Sequence, residues 1–169
     1  MQISMYQASV PVFIKSLTNL GAILDKAAAH AEAKKIDPAV LLSCRLYPDM
    51  YPLVKQVQIA SDNAKGAGAR LAGIDPPSFA DTETTFPELQ ERIRNTVAFL
   101  QTLKPEQIDG SEERDIKMVF PSMTLEFKGL GYLLGFAQPN LSFHVSMAYA
   151  ILRHNGVEVG KGDFLGKVG

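Results

Sequence analysis

The chain of 169 residues has no tryptophan and one cysteine, Cys44. A lone cysteine excludes an internal disulfide framework and any zinc site built from several thiolates. Free cysteine is among the most buried residue types, so Cys44 is expected to pack rather than react. Charge of one sign is missing too. The formal net charge is −1, which gives no general pull toward nucleic acid or acidic membrane surfaces. No stripe of alternating basic and aromatic residues offers itself for stacking bases. No apolar run reaches the roughly 18–20 residues that a spanning helix needs. The N-terminal MQISMYQASV lacks the basic region, apolar stretch and cleavage site of a signal peptide. The expectation is a cytoplasmic protein with neither membrane nor nucleic acid as partner. A phosphate-binding glycine loop, a dinucleotide fingerprint and a nucleophile elbow are likewise missing.

What is present is helical periodicity. An apolar fraction of 46% supports a real core, and the length favours one domain, residues 1–169. Ile3, Tyr6, Val10, Phe13, Leu17, Leu20 and Leu24 recur at three- and four-residue steps, which predicts a long first helix. Pro11 should make its start a separate turn or a kinked stretch. Asp37-Pro38 opens a short helix. After an interruption at Tyr47-Pro48-Asp49, a longer helix follows whose face includes Val54, Val57, Ser61, Ala64, Gly68 and Leu71. Gly66 and Gly68 each cost about 1 kcal/mol of helix propensity relative to alanine, and close approach of another helix is the simplest compensation. Residues 74–84 read as a loop. Thr85 and Glu88 are spaced as a capping box, and Phe86, Leu89, Ile93, Val97 and Leu100 form the next stripe.

The segment from about 114 to 128 differs. Ile116, Met118 and Phe120, then Met123, Leu125 and Phe127, alternate with polar neighbours around Pro121-Ser122. Period two about a turn predicts a β-hairpin. A lone hairpin is marginal in water, so it should lie on the helices, as a lid or as a dimer contact. The tail, 157–169, offers only Val159, Phe164 and Leu165 as anchors. Four helical stripes with one long connection predict an all-α four-helix bundle, with the hairpin inserted before the last helix.

The longest amphipathic run, Tyr132 to Gly156, carries Asn140 and His144 one turn apart on an otherwise apolar stripe. Buried polar groups without partners cost about 1–3 kcal/mol each, so something should satisfy this pair. A hydrogen-bonded core histidine, a polar binding pocket and a metal ligand are the three readings. A three-histidine site is disfavoured, because His30 and His154 lie at helix ends. Pro139 should kink or split the run. Asp62, one turn after Gln58, could point inward or pair with a basic neighbour. Glu112, Glu113 and Asp115 read as a solvated charged loop around Arg114.

Three blocks, MYQASVPVFIKSLTNLGAILDKAAAHA, DMYPLVKQVQIASDNAKGAGARLAG and PNLSFHVSMAYAILRHNGVEVGKGDFLG, together resemble a bacterial domain-of-unknown-function branch of the DinB-like (YfiT-like) metalloenzyme superfamily. The resemblance implies a DinB-like four-helix bundle, often dimeric, and in typical members a divalent metal on three histidines. Here Ile151 to Gly156 matches a run like L-L-R-x-x-G, which puts His144 on one ligand position and Asn140 on another. Gln58 falls where the helix-two histidine would be. Amide carbonyls are weak ligands for zinc or nickel. The expected site is therefore a polar pocket of Gln58, Asn140, His144 and Asp62 that takes a small molecule or a partner with no cofactor, in a homodimer. The alternative is a zinc- or nickel-dependent transferase or hydrolase with His144 as its ligand.

Overall fold

The computed structural model describes residues 3–167. Helix α1 spans Met5–Lys34. Ser4 caps it in a capping box: its hydroxyl accepts from the Gln7 amide, and the Gln7 side chain accepts from the Ser4 amide. Lys35 closes it in the left-handed region at φ 56°. Helix α1 runs through Pro11, so its start is not a separate turn, one of the two expectations from the sequence. Its ring lies on the exposed face, and Gln138 Nε2 donates to the nearby Ala8 carbonyl at 2.5 Å. The short α2, Pro38–Ser43, is capped by Asp37. Helix α3 spans Leu53–Ala72 and ends on Gly73 at φ 70°. Helix α4, Phe86–Thr102, starts at the Thr85–Glu88 box, with the Glu88 carboxylate accepting from the amides of Thr84 (2.7 Å) and Thr85 (2.9 Å). A turn of helix, α5, follows at Pro105–Ile108.

Helices α1, α3, α4 and α7 (Gln138–His154) form the bundle. Helix α3 packs against both α4 and α7, and α1 closes the square from the other side against the same two. The interior is filled by the predicted stripes, among them Phe13, Leu17, Leu20, Val57, Leu89, Leu100, Leu141 and Leu152, all at most 2% exposed. Each such side chain contributes about 1.5–3 kcal/mol. The small face of α3 is what brings α4 close. A Cβ on Gly68 would lie 2.7 Å from Leu100 Cδ2 and 2.8 Å from Leu103 Cδ1.

The hairpin is present as β1, Asp115–Phe120, and β2, Met123–Lys128. The strands are antiparallel, with Ile116 opposite Phe127 and Met118 opposite Leu125. That face turns to the helices: Ile116 is buried and the Phe127 ring sits 5.7 Å from Tyr132 and 5.5 Å from Phe136. At the base of the hairpin Leu130 N donates to Glu112 O at 2.9 Å. A Cβ on Gly129 would run into the Ser111 carbonyl there, so only glycine fits.

The chain then enters α6, Gly129–Tyr132, widens into a π-turn over Leu133–Ala137, and continues as α7. The Gln138 amide donates five residues back, to Leu133 O. Pro139 has no N–H to give the ladder, and the π-turn sits where that bond is lost. The tail folds back on α1 as α8, Lys161–Leu165, through the Lys26–Asp163 ion pair at 2.7 Å and Asn19 Nδ2 on Phe164 O at 3.0 Å. Val159 is buried and Phe164 half-buried, whereas Leu165 stays exposed. Among the described residues no helix is long and apolar enough to cross a membrane.

Candidate functional site

Where the hairpin lies on the bundle, a cavity of about 280 Å³ opens between α3, β1 and the α6–α7 run. Tyr132 and Phe136 form one wall; their rings stack at 20° with centroids 5.9 Å apart. Met118 and Phe120 of β1 face them, with Phe120 partly in solvent at 39% exposure. The α3 wall is polar. Ile59, Asn63, Gly66 and Arg70 recur at steps of four, three and four, so they share one face of the helix. Asn63, Arg70 and Asp62 line the cavity from this side, and Asn140 lines it from α7.

The polar groups are not equally satisfied. Asn63 Oδ1 is buried and has no hydrogen-bond partner, a condition that costs about 1–3 kcal/mol. Arg70 Nη1 donates to the Tyr132 hydroxyl at 3.3 Å. Burial raises the Tyr132 pKa and Arg70 only partly opposes it, so the phenol keeps its proton and can donate. Asp62 is engaged through Oδ1 by Arg92 Nη2 at 2.8 Å and Lys65 Nζ at 2.9 Å.

That engagement belongs to a charge network behind the cavity. Arg92, its side chain 1% exposed, also binds Asp81 at 3.0 Å and Glu83 at 2.8 Å. Lys65, also buried, lies 4.1 Å from the centre of the Phe79 ring. Lys55 closes on Asp81 at 2.5 Å. Burial alone would raise the Asp81 carboxyl and the Glu83 carboxyl. Lys55 and Arg92 outweigh it at Asp81, Arg92 and Gln58 outweigh it at Glu83, and both acids are held below their ordinary range. Burial alone would lower Arg92. The hydrogen bond to Glu83 and the charges of Asp62, Glu83 and Asp81 prevail, and its pKa is raised. The network ties the 74–85 loop to α3 and α4.

The four residues singled out in the sequence are divided between these places. Asp62 and Asn140 meet at the cavity. Gln58 is turned to the other side of α3, where its amide donates to Glu83 Oε2 at 2.8 Å. His144 is buried, at 8% exposure, and its partner is Gln56, not Asn140 or Gln58: Nδ1 lies 2.7 Å from Gln56 Oε1. Burial pushes its pKa below the ordinary value. Asp62 takes the ion-pair alternative, with a lysine and an arginine that are themselves buried. Gln56, Asn63, Arg70, Arg92 and Tyr132 carry the polar structure and were not singled out. The three-four spacing of Asn63, Gly66 and Arg70 was a usable signal. The pairing of Gln56 with His144 had none, because it joins residues 88 apart.

The donor set does not suit zinc or nickel. A single imidazole is present at this place, with one nitrogen free, and Gln58, which would have to join it, is committed to Glu83. Among the described residues no three histidine, cysteine, aspartate or glutamate side chains are grouped to hold an ion. Arg92 itself occupies the middle of the carboxylates that do gather, so their charge is met by a guanidinium.

The chain matches the model of a domain of unknown function, DUF1993, over residues 5–165. It is also similar to a crystal structure described as a DinB family member protein from Shewanella denitrificans. The two share 43% sequence identity at a TM-score of 0.87, over 96% of this chain and 92% of the other. A comparison with curated proteins gave no match.

Proposed function

The chain belongs to the DUF1993 family and has a DinB-like fold, and from that premise we propose that it binds a small molecule in the cavity under the hairpin. The observation that carries this reading is the cavity itself, walled by the stacked Tyr132 and Phe136 rings on one side and by Asn63, Arg70 and Asn140 on the others. Concave, largely apolar sites with a few converging polar groups are the common form of ligand pockets. The aromatic pair supplies area for a flat guest, and Asn63, Asn140 and the Tyr132 hydroxyl fix its orientation.

Binding on this reading needs no metal. A transferase or hydrolase built around His144 would need Asn140, Gln58 or Asp62 as further ligands, and two of those three are already engaged elsewhere. Metal analysis of protein purified without an affinity tag should find no stoichiometric zinc or nickel. Stoichiometric metal that disappears in His144→Ala would replace the proposal with the metalloenzyme.

The pocket itself is tested by amide NMR titration with phenol, indole and para-hydroxybenzamide. Shifts should cluster at 59–70, 118–120 and 132–140, and vanish in a folded Asn140→Trp variant whose side chain fills the space. Shifts scattered over the surface, or unchanged in that variant, would remove the cavity as a site.

A further inference from the structure

Among the described residues, Arg70 is the one charge lining the cavity with no opposite charge in ion-pair reach. Asp62, Asp81 and Glu83 are matched by Lys55, Lys65 and Arg92. Among the described residues no carboxylate lies within ion-pair distance of Arg70. An arginine in the last turn of a helix complements the helix dipole, yet that role is served equally well by a guanidinium extended into solvent. Here the guanidinium is folded back along α3 over Gly66. A Cβ at residue 66 would lie 3.4 Å from the Arg70 Cζ and overlap Nη1. The bare glycine is what admits the group to this position. The Tyr132 hydroxyl then braces it from the facing wall.

We propose that Arg70, seated over Gly66 and braced by Tyr132, is the anion-binding group of the cavity, and that the ligand is a small planar aromatic carboxylate. The inference rests on the cavity being the binding site and adds the charge and shape of what enters. Two features select the class. The planar guanidinium matches a carboxylate with paired hydrogen bonds. The Tyr132–Phe136 stack favours a flat ring over an alkyl chain. The Asp62 carboxylate would repel an anion if it were free, but its charge is answered twice over by Lys65 and Arg92.

The experiment compares para-hydroxybenzoate with para-hydroxybenzamide by calorimetric titration of the full chain. The two share the ring and the hydroxyl and differ in charge. Charge-assisted hydrogen bonds are roughly twice as strong as neutral ones, so the acid should bind about tenfold more tightly than the amide. Arg70→Met should abolish that preference, weakening the acid about tenfold more than the amide. Gly66→Ala should reduce the preference by displacing the guanidinium while raising the melting temperature, a combination that a purely structural Arg70 would not produce. Equal affinity of acid and amide, or a preference that survives Arg70→Met, overturns the anion site while leaving the cavity as a pocket for neutral guests. Failure of both compounds to bind overturns the cavity reading as well.

Discussion

The Gln56 carbonyl oxygen lies 2.7 Å from Nδ1 of His144, and the Gln56 amide nitrogen donates to the Tyr51 carbonyl at 3.1 Å. The second contact decides the first. With its nitrogen committed to a carbonyl, Gln56 can offer His144 only an acceptor, so Nδ1 carries the proton. The neutral ring keeps its lone pair on Nε2.

A pH dependence follows from that buried neutral ring. Burial lowers the folded pKa of His144 below its ordinary 6.5. Between the two values the unfolded chain binds more protons than the folded one, so stability rises with pH there and falls as pH drops through 6.5. Urea unfolding of the wild type should lose stability from about pH 6.5 downward. In His144→Phe this part of the slope should vanish, whatever the variant's absolute stability. An identical slope in both would assign the pH dependence to other groups.

Removing the guanidinium at the centre of the charge network should be costly. Arg92→Met leaves Glu83, whose side chain is 10% exposed, without its counter-ion, whereas Asp62 and Asp81 remain 43% and 37% exposed. Breaking a buried ion pair costs about 3–5 kcal/mol, and the exposure of two partners places this one near 3 kcal/mol. The acid limb should change as well. Asp81 and Glu83 are held below their ordinary pKa values, so they contribute stability above those values that is lost as pH falls through the folded ones. Denaturation curves below about pH 4.5 should be shallower in pH for the variant than for the wild type.

Two glycines one half-turn apart in α3 should respond oppositely to alanine. Each substitution gains about 1 kcal/mol of helix propensity. At Gly66 the new methyl meets only the end of the flexible Arg70 side chain, so the gain should survive as higher stability. At Gly68 it meets Leu100 and Leu103 in the α3–α4 contact. Overpacking costs about 1–3 kcal/mol, so Gly68→Ala should be neutral to about 2 kcal/mol less stable. Thermal unfolding of the two variants beside the wild type reads both signs.

The hairpin should be held by its aromatic corner. Phe127 joins β2 to the Tyr132 and Phe136 rings. Its half-buried ring should be worth about 2 kcal/mol, less than the roughly 3–5 kcal/mol of a fully buried phenylalanine. In Phe127→Ala the β1–β2 amides should exchange faster by hydrogen–deuterium exchange, while amides in the centres of α1 and α4 keep their protection. Uniform loss of protection would mean that hairpin and bundle open together.

The frame was readable because it depends on local rules. Stripes at three- and four-residue steps gave the bundle, the Thr85–Glu88 spacing gave the start of α4, and period two about Pro121-Ser122 gave the hairpin over Asp115–Lys128. Pro11 does not end α1, and it lies on the exposed face of that helix. The site was less legible, because its contacts are not local. That Asn140 and His144 turn inward followed from periodicity, but their surroundings did not. Gln58 sits two residues from Gln56 on α3, about 200° around the helix axis, so the two amides address opposite neighbours: Glu83 on one side and His144 on the other. Matching Gln58 to a ligand position by order along the chain could not reveal that it was Gln56 that reached the histidine.

The π-turn at Leu133–Ala137 sets the phase of everything that precedes it. Each residue advances a helix by about 100°, so the bond from Gln138 back to Leu133 rather than to Leu134 takes up one residue's worth of azimuth. Winding the same residues as ordinary α-helix, without the wide turn, would rotate Tyr132 by that amount relative to Asn140. The tyrosine hydroxyl would swing off Arg70, and the hairpin that enters through Gly129 would have to follow. One surplus residue thus keeps two stretches of a single helical run, each correct for its own neighbours, in rotational agreement with each other.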